Sequence, residues 1–404
     1  MKILVQKFGG TSVATLESRL KAAEHIEDAL AKDYRVVVVV SAMGRRGEPY
    51  ATDSLLSILD GLSAVNARDL DILMSCGEAI SSVVFAAMLR SRGHQATVMS
   101  GGQAGIVTND QHGNARILEI RPKRILEALR EGQIVVVMGF QGATSDGDVT
   151  TLGRGGSDTT ATALGVALNA DYVDIFTDVE GIMTADPRIV TDARMIHRVT
   201  YTEICNLAYQ GAKVIHPRAV EIAMQKNIPI RVRSTHSKDE GTLVTNAWSV
   251  LESSVLQDRY VTGVTQASNI TQIQVEGPEV AKANIFEWMA ARGISVDFIS
   301  VSLDRVAYTV ADADAARAVE TLKEHGFEPS VLPECAKVSV VGTYTGMPGI
   351  MARIVDALSR EGIGILQSAD SHNTIWCLVR RSQMEAAVRA LHAKFELGES
   401  VVQV

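Results

Sequence analysis

In this chain of 404 residues, a few short stretches hold the residue types that could do chemistry. Thr151-Leu-Gly-Arg-Gly-Gly-Ser-Asp-Thr-Thr-Ala161 sets three glycines, an arginine and an aspartate between a polar turn and an alanine-rich helical run, Ala161 to Ala170. Glycines let backbone N–H groups approach an anion closely, and Ser157 or Asp158 can cap the helix that follows. Arg154 offers a planar fork of donors for a carboxylate or phosphate. Taken alone, the stretch is either an anion loop or an ordinary glycine-rich turn. Lys7-Phe-Gly-Gly-Thr-Ser12 lacks the G-x-x-x-x-G-K-[ST] pattern of a Walker P-loop. It does place a lysine, two glycines and a helix start together, which suits phosphate oxygens and equally suits a tight turn with a surface lysine. Thr177-Asp178 with Gly181, then Asp186-Pro-Arg188, is turn-rich, and its carboxylates suit either Mg²⁺ with a nucleotide or plain solvent. Gly211-Ala-Lys-Val-Ile-His-Pro217 adds a lysine among small residues, with His216 read as a structural histidine. No histidine spacing matches a zinc site, so no protein metal centre is assigned.

These residues need strands and helices to hold them. Lys2 to Gln6 reads as a strand, and Thr11 or Ser12 as the cap of a helix through Leu16, Leu20, Ala23 and Ile26. Arg35-Val-Val-Val-Val-Val40 is a continuous apolar strand of the kind buried on both faces of a parallel sheet, closed by Ser41 to Gly44. A loop from Arg45 to Thr52 precedes a helical region with Leu55, Leu56, Ile58 and Leu59. Leu70 to Met74 leads into Ser75-Cys-Gly-Glu78 and a small-residue helix, Ala79 to Leu89. Gln95–Met99, Ile134–Met138 and Tyr172–Phe176 are further strands. Strands alternating with helices predict an α/β fold with a mainly parallel sheet and right-handed crossovers. Sites in such sheets form at strand C-termini, so Lys7, Ser41, Glu78, Arg154 and Asp178 are expected just after strands.

Composition sets the outer bounds. Hydrophobic residues make up 46% and charged residues 21%, and the net charge is -8, which excludes a basic nucleic-acid surface. No apolar run is expected to reach the roughly 18 residues that span a bilayer. The first residues enter a strand at once and leave no room for a signal peptide, and four scattered cysteines read as reduced core thiols. A cytoplasmic protein without nucleic-acid or membrane partners is expected.

Beyond a polar connector, Gly241 to Ser253, the chain repeats itself. Ile285 to Val296 matches Ile354 to Ile365 at an offset of 69 residues, and Val306–Val310 matches Ile375–Val379 at the same offset. Ala318, Val319 and Leu322 likewise fall on Ala387, Val388 and Leu391. Agreement of three segments at one offset indicates a duplication. Each copy reads strand, helix, strand, strand, helix, strand, the ferredoxin-like pattern, with its first helix stopped by Gly293 or Gly362. The expected division is a catalytic domain over 1–246, a linker over 247–261, and copies over 262–335 and 336–404.

Lys7-Phe-Gly-Gly-Thr-Ser12, Ser75-Cys-Gly-Glu78, Gly153-Arg-Gly-Gly-Ser-Asp158, Phe176-Thr-Asp178 and Gly211 to Pro217, in this order and followed by paired repeats, resemble the aspartate kinases. The resemblance covers essentially the whole chain and is closest to the monofunctional Gram-positive type with two ACT domains. It implies an amino-acid-kinase fold and transfer of the ATP γ-phosphoryl group to the β-carboxylate of L-aspartate, with ATP and Mg²⁺. This is the first step toward lysine, threonine, methionine and diaminopimelate. By the same resemblance, Lys7 would stabilise the transferring group, Arg154 would grip the substrate α-carboxylate and Asp158 would order the site. Glu78 would face the substrate amino group, and Thr52, Gly155, Gly156 and Ser157 would line its pocket. Lys7, Phe8, Gly9, Gly10, Ser41, Thr177, Asp178, Met183, Arg188 and Lys213 would surround ATP, although family members often carry tyrosine where this chain has Met183.

The resemblance further implies an end-product effector (lysine, threonine or diaminopimelate) at the turns after the first helix of each repeat. Its contacts would be Ser295, Val296 and Asp297 in one copy and Gln367 and Ser368 in the other, with Met347 close by. A homo-oligomer, dimer or tetramer, through the ACT domains is expected. Two other readings remain: a kinase acting on glutamate or acetylglutamate, and a non-catalytic amino-acid sensor. Glu78 with Arg154 and the paired repeats argue against the first, and the presence of both Lys7 and Asp178 argues against the second.

Overall fold

A computed structural model of the chain describes residues 1–62, 64–212, 214–246, 260–277, 284–343 and 348–398. It divides into two compact units. The first comprises Met1–Ile182, Met195–Ala208 and Lys213–Gln257; the second comprises Met183–Arg194, Tyr209–Ala212 and Asp258–Val404. The expected catalytic domain over 1–246 is therefore not one body, because 183–194 and 209–212 pack with the C-terminal part. Of the expected linker, residues 247–259 lie outside the described residues.

In the first unit the strands are β1 (Ile3–Phe8), β2 (Arg35–Val40), β3 (Ala96–Met99), β4 (Ile106–Thr108), β5 (Ile117–Ile120), β6 (Ile134–Met138), β7 (Gln141–Ala143), β8 (Val149–Thr151), β9 (Tyr172–Thr177), β10 (Arg198–Thr200), β11 (Ile230–Ser234) and β12 (Thr242–Thr245). The helices are α1 (Gly10–Ala14), α2 (Leu16–Ala31), α3 (Thr52–Ser57), α4 (Ala67–Ser91), α5 (Lys123–Arg130), α6 (Gly156–Leu168), α7 (Tyr201–Tyr209) and α8 (Pro217–Met224). Eight strands form one sheet in the order β10-β12-β11-β9-β1-β2-β6-β3, parallel except for β11 against β12. Val36 to Val40 are buried, as a valine run covered on both faces requires. Four short strands, in the order β5-β4-β7-β8, make a separate sheet absent from the sequence reading.

Local details depart from expectation in instructive ways. Thr15, not Thr11 or Ser12, caps α2, its hydroxyl accepting from the Ser18 N–H at 3.1 Å, because the short α1 begins directly at Gly10. Gly155 at φ 68° starts α6, so Ser157 and Asp158 lie inside the first turn instead of capping it. Small residues in α6 let it run close over the central strands: a Cβ on Gly165 would fall 2.4 Å from Val173 Cγ2. Glu78 lies mid-helix, since α4 is one helix of 25 residues. That helix is also long and apolar enough to cross a membrane, with a mean hydropathy of 1.8 over 18 residues, contrary to expectation. It nevertheless buries Asp71 and Glu78 against protein groups. Cys76 is exposed, so only three of the four free thiols are buried.

The second unit is a six-stranded antiparallel sheet of β13 (Val261–Glu276), β14 (Asp297–Val301), β15 (Arg305–Ala311), β16 (Ser330–Gly342), β17 (Gln367–Asp370) and β18 (Thr374–Arg380), in the order β14-β15-β13-β16-β18-β17. Helices Ile285–Ala291 and Ile350–Arg360 end before Gly293 (φ 65°) and Gly362 (φ 66°), as read from sequence. The copies are not self-contained. The later half of β13, 270–276, pairs with β15, whereas its earlier half, 261–267, pairs with 337–342 of β16. The residues at the expected start of the first copy, 261–267, thus fill the fourth-strand position of the second, so the expected boundary at 262 is not where the first copy begins. Ile273, Met289, Tyr308 and Leu322 belong to the first core; Val264, Val338, Ile354 and Val388 belong to the second.

This pairing predicts where damage spreads. Val264→Asp puts an unpaired charge into the second core, at a cost of about 3 kcal/mol or more. Hydrogen exchange should show lost protection over 367–380 with 297–311 retained; equal loss in both would refute the shared strand.

Candidate functional site

In the first unit the tips of β1, β2 and β9 meet the start of α6. Lys7 sits in β1 opposite Val39 of β2 and Ile175 of β9. Its Nζ lies 2.7 Å from Asp158 Oδ1, with both side chains about 12% exposed, so the pair is weakly hydrated. The approach is that of an ion pair and not of an aligned hydrogen bond. The Phe8 side chain turns away into the core, stacked on Phe176 at 4.7 Å and Phe85 at 5.7 Å, so only its backbone can line the site. Gly10 has no space for a side chain, since a Cβ there would be 2.6 Å from the Gly44 carbonyl. The Ser41 N–H donates to Phe8 O at 3.1 Å and the Gly44 N–H to Gly10 O at 3.0 Å, binding the two strand tips together.

Of the residues expected to face the substrate, Glu78 is 2% exposed. Its Oε1 accepts from the Ala42 N–H at 3.0 Å, while Oε2 has no partner. Burial pushes its carboxyl up to about 8, opposed by the Ala42 N–H. Thr52 opens α3 and is half-buried. Arg154 is exposed and has no ion-pair partner among the described residues. Ser157 is buried beside Gly139, where a Cβ would lie 2.8 Å from Ser157 Oγ. Gly155 packs on His216 so tightly that a Cβ would be 2.3 Å from His216 Cβ. His216 starts α8, its Nδ1 accepting from the Arg218 N–H at 3.3 Å, a structural role as expected.

At the β9 tip, Thr177 Oγ1 donates to Asp178 Oδ1 at 3.1 Å, and Arg45 pairs with Asp178. Burial pushes the Asp178 carboxyl up, but hydrogen bonds from Thr177 and its own N–H, together with Arg45, hold it below the usual range. Met183 and Arg188 belong to the second unit, where Arg188 is 87% exposed and paired with Asp186 at 2.7 Å. Lys213 lies outside the described residues. The first unit therefore holds Lys7, Gly9, Gly10, Ser41, Thr177 and Asp178 together with Thr52, Glu78, Arg154 and Ser157. Sequence reasoning missed Arg45, Asp71 and Arg218. The one available signal was Asp71, a lone charge in the apolar run Leu70 to Met74.

In the second unit Lys337 Nζ pairs with Asp297 at 2.5 Å, and Gln367 donates to the neighbouring Phe298 carbonyl at 2.7 Å. Asp297 and Gln367, from different copies, therefore meet at one seam. Val296 is half-buried, Ser295 and Ser368 are exposed, and Met347 is outside the described residues.

Comparison with known proteins agrees with this geometry. The amino acid kinase family matches residues 2–234, and the ACT domain matches 330–393. Sheet, strand-tip lysine and glycine turn thus define an amino acid kinase carrying ACT repeats. Aspartokinase 1 of Bacillus subtilis (strain 168) is 55% identical over 404 residues, covering 99% of this chain and 100% of its own. E. coli aspartokinase III in complex with aspartate and ADP (R-state) is 28% identical with a TM-score of 0.78, covering 97% of this chain and 99% of its own. The same enzyme with lysine and aspartate (T-state) gives 28% and 0.76 over the same shares. The chain belongs to the aspartokinase family. Its reaction is ATP-dependent phosphorylation of the L-aspartate β-carboxylate, the first step toward lysine, threonine, methionine and diaminopimelate.

Glu78 gives this site a pH signature. Its pKa is raised from 4.5 to about 8 in the folded protein. Between those values the folded state holds a proton that the unfolded state lacks, so stability falls as pH rises through the window. Glu78→Gln removes the dependence. The variant's Tm relative to the parent should climb steadily from about pH 5 to about pH 8; a pH-independent difference would show that the carboxyl is not buried in this way.

Proposed function

We propose that the γ-phosphoryl group of ATP meets the β-carboxylate of L-aspartate between Lys7 and the first turn of α6. The observation that supports this best is the poorly hydrated Lys7–Asp158 pair, with an exposed Arg154 in the turn before α6 and a buried Glu78 that keeps one oxygen unpartnered. A carboxylate nucleophile has an ordinary pKa near 4, is ionised at neutral pH and needs no general base. Catalysis then reduces to positioning and charge shielding. Lys7 neutralises charge on the transferring group, and Asp158 holds Lys7 in place. Arg154 takes the α-carboxylate through its two-pronged fork. Glu78 Oε2 takes the substrate ammonium and is ionised once that cation is bound. Thr52, Gly155, Gly156 and Ser157 line the pocket.

Ser41, Thr177, Asp178 and the backbone of Phe8, Gly9 and Gly10 hold the nucleotide, with Met183, Arg188 and Lys213 completing the set by family resemblance. Among the described residues no group of three or more His, Cys, Asp or Glu side chains could hold a metal ion. That donor set fits Mg²⁺ retained chiefly by phosphates and water, with Asp178 as its one carboxylate. Bound there, Mg²⁺ would supply charge neutralisation on the phosphates.

We further propose that an end-product amino acid, lysine, threonine or diaminopimelate, binds at the Asp297–Gln367 seam and inhibits by favouring one arrangement of the repeats. The lysine complex of aspartokinase III supports an amino-acid ligand. A cytoplasmic homo-oligomer, dimer or tetramer through the ACT domains, completes the reading. Two substitutions separate the proposed roles. Lys7→Ala should lower kcat roughly 10²–10³-fold with little change in KM for aspartate. Arg154→Ala should instead raise that KM by about tenfold or more, the loss of one charged contact. Equal effects of both substitutions on kcat and KM would contradict the assignment.

A further inference from the structure

Arg154 is exposed and unpaired among the described residues, so its direction is set by the backbone that carries it. Two groups grip that backbone, the half-buried Arg218 and the fully buried Asp71. Arg218, near the start of α8, donates from Nη1 to Leu152 O and from Nη2 to Ala115 O, each at 2.9 Å. One residue earlier, Thr151 Oγ1 donates to Asp71 Oδ1 at 2.5 Å. Asp71 is fully buried; it also accepts from the Gly113 N–H at 3.0 Å and lies 2.8 Å from His112 Nδ1. The Ala115 N–H donates to Thr151 O at 2.8 Å, joining both anchored segments. Past Arg154 the chain is fixed by crowding, Gly155 lying against His216.

Arg218 is a poor choice for stability alone. Burial and the nearby Arg116 lower its pKa, and the two acceptors it holds, Leu152 O and Ala115 O, are neutral carbonyls. What a guanidinium does here that an ammonium would not is hold two carbonyls at a fixed separation in one plane. One of those carbonyls, Leu152 O, lies two residues before Arg154, and the other, Ala115 O, belongs to the neighbouring segment that is hydrogen-bonded to Thr151.

We propose that Arg218, together with the Asp71–Thr151 pair, positions Arg154 for the substrate α-carboxylate without touching the substrate. This rests on the reading of Arg154 as the carboxylate clamp. A misplacement of about 1 Å at such a group costs up to roughly 10²-fold, and a lysine at 218 reaches one carbonyl instead of two.

A double-substitution cycle in the full-length enzyme tests this, with kcat and both KM values measured for the parent, Arg154→Ala, Arg218→Lys and the double variant. Arg218→Lys should raise KM for aspartate about tenfold and leave KM for ATP within about twofold. Added to Arg154→Ala, it should raise KM for aspartate no further, because the group it positions is already gone. Thr151→Val, which removes one hydroxyl at nearly constant volume, should reproduce the selective rise to a smaller extent and serves the same cycle if Arg218→Lys does not fold. Equal rises in both KM values, or full additivity with Arg154→Ala, would overturn the positioning role alone. An Arg154→Ala variant with unchanged KM for aspartate would overturn the clamp, and this inference with it.

Discussion

A lysine ammonium at the tip of a buried parallel strand must be balanced by a charge brought to it through dry protein, and the catalytic unit is arranged around that need. Lys7 reaches its position because β1 is flanked on both sides by parallel strands. Asp158 reaches Lys7 because α6 is built from glycine, alanine and threonine and can run close over those strands. The threonines do not leave hydroxyls stranded: Thr159, Thr160 and Thr162 donate to carbonyls one turn back at 3.0, 2.9 and 3.1 Å. The helix thereby delivers a carboxylate and a cluster of N–H groups to one point.

Three buried carboxylates illustrate how partners decide function. Asp174 is fully occupied, accepting from Arg231 at 2.6 Å with Arg233 at 3.6 Å, and it braces the sheet. Asp71 is likewise saturated, and it holds backbone. Glu78 alone keeps an oxygen without a partner. A buried polar atom left unsatisfied is costly to the fold, a cost that the substrate ammonium in the proposed mechanism would remove.

Much of this was legible in the sequence. The valine run of β2, the strands at 134–138 and 172–176, the duplication and the stops at Gly293 and Gly362 all follow from local periodicity and glycine preference. The order of the motifs also carried the family resemblance. Other features have no local signature. Gly77 looked like a break before a new helix, whereas it lies inside α4 where a Cβ would be 2.7 Å from Ala42 Cβ. The early half of β13 has the same alternation whichever copy it completes, so its pairing with β16 depended on tertiary contacts alone. Residues 183–194 carry Ala185 and Val190 into the core of the second repeat, and nothing in their turn-rich composition announces it. Arg218 and Thr151 make hydrogen bonds to backbone carbonyls or to a side chain distant in sequence, which no spacing rule detects.

The central claim is that this site works by positioning and shielding an already ionised carboxylate, with no side chain removing a proton from the nucleophile. The pH dependence of kcat, measured with aspartate and MgATP both saturating, addresses it most directly. A level profile from about pH 7 to about pH 9 is the expected result, since the β-carboxylate is ionised throughout. A bell, or a limb of unit slope with an apparent pKa inside that range, would reveal a general base and contradict the account.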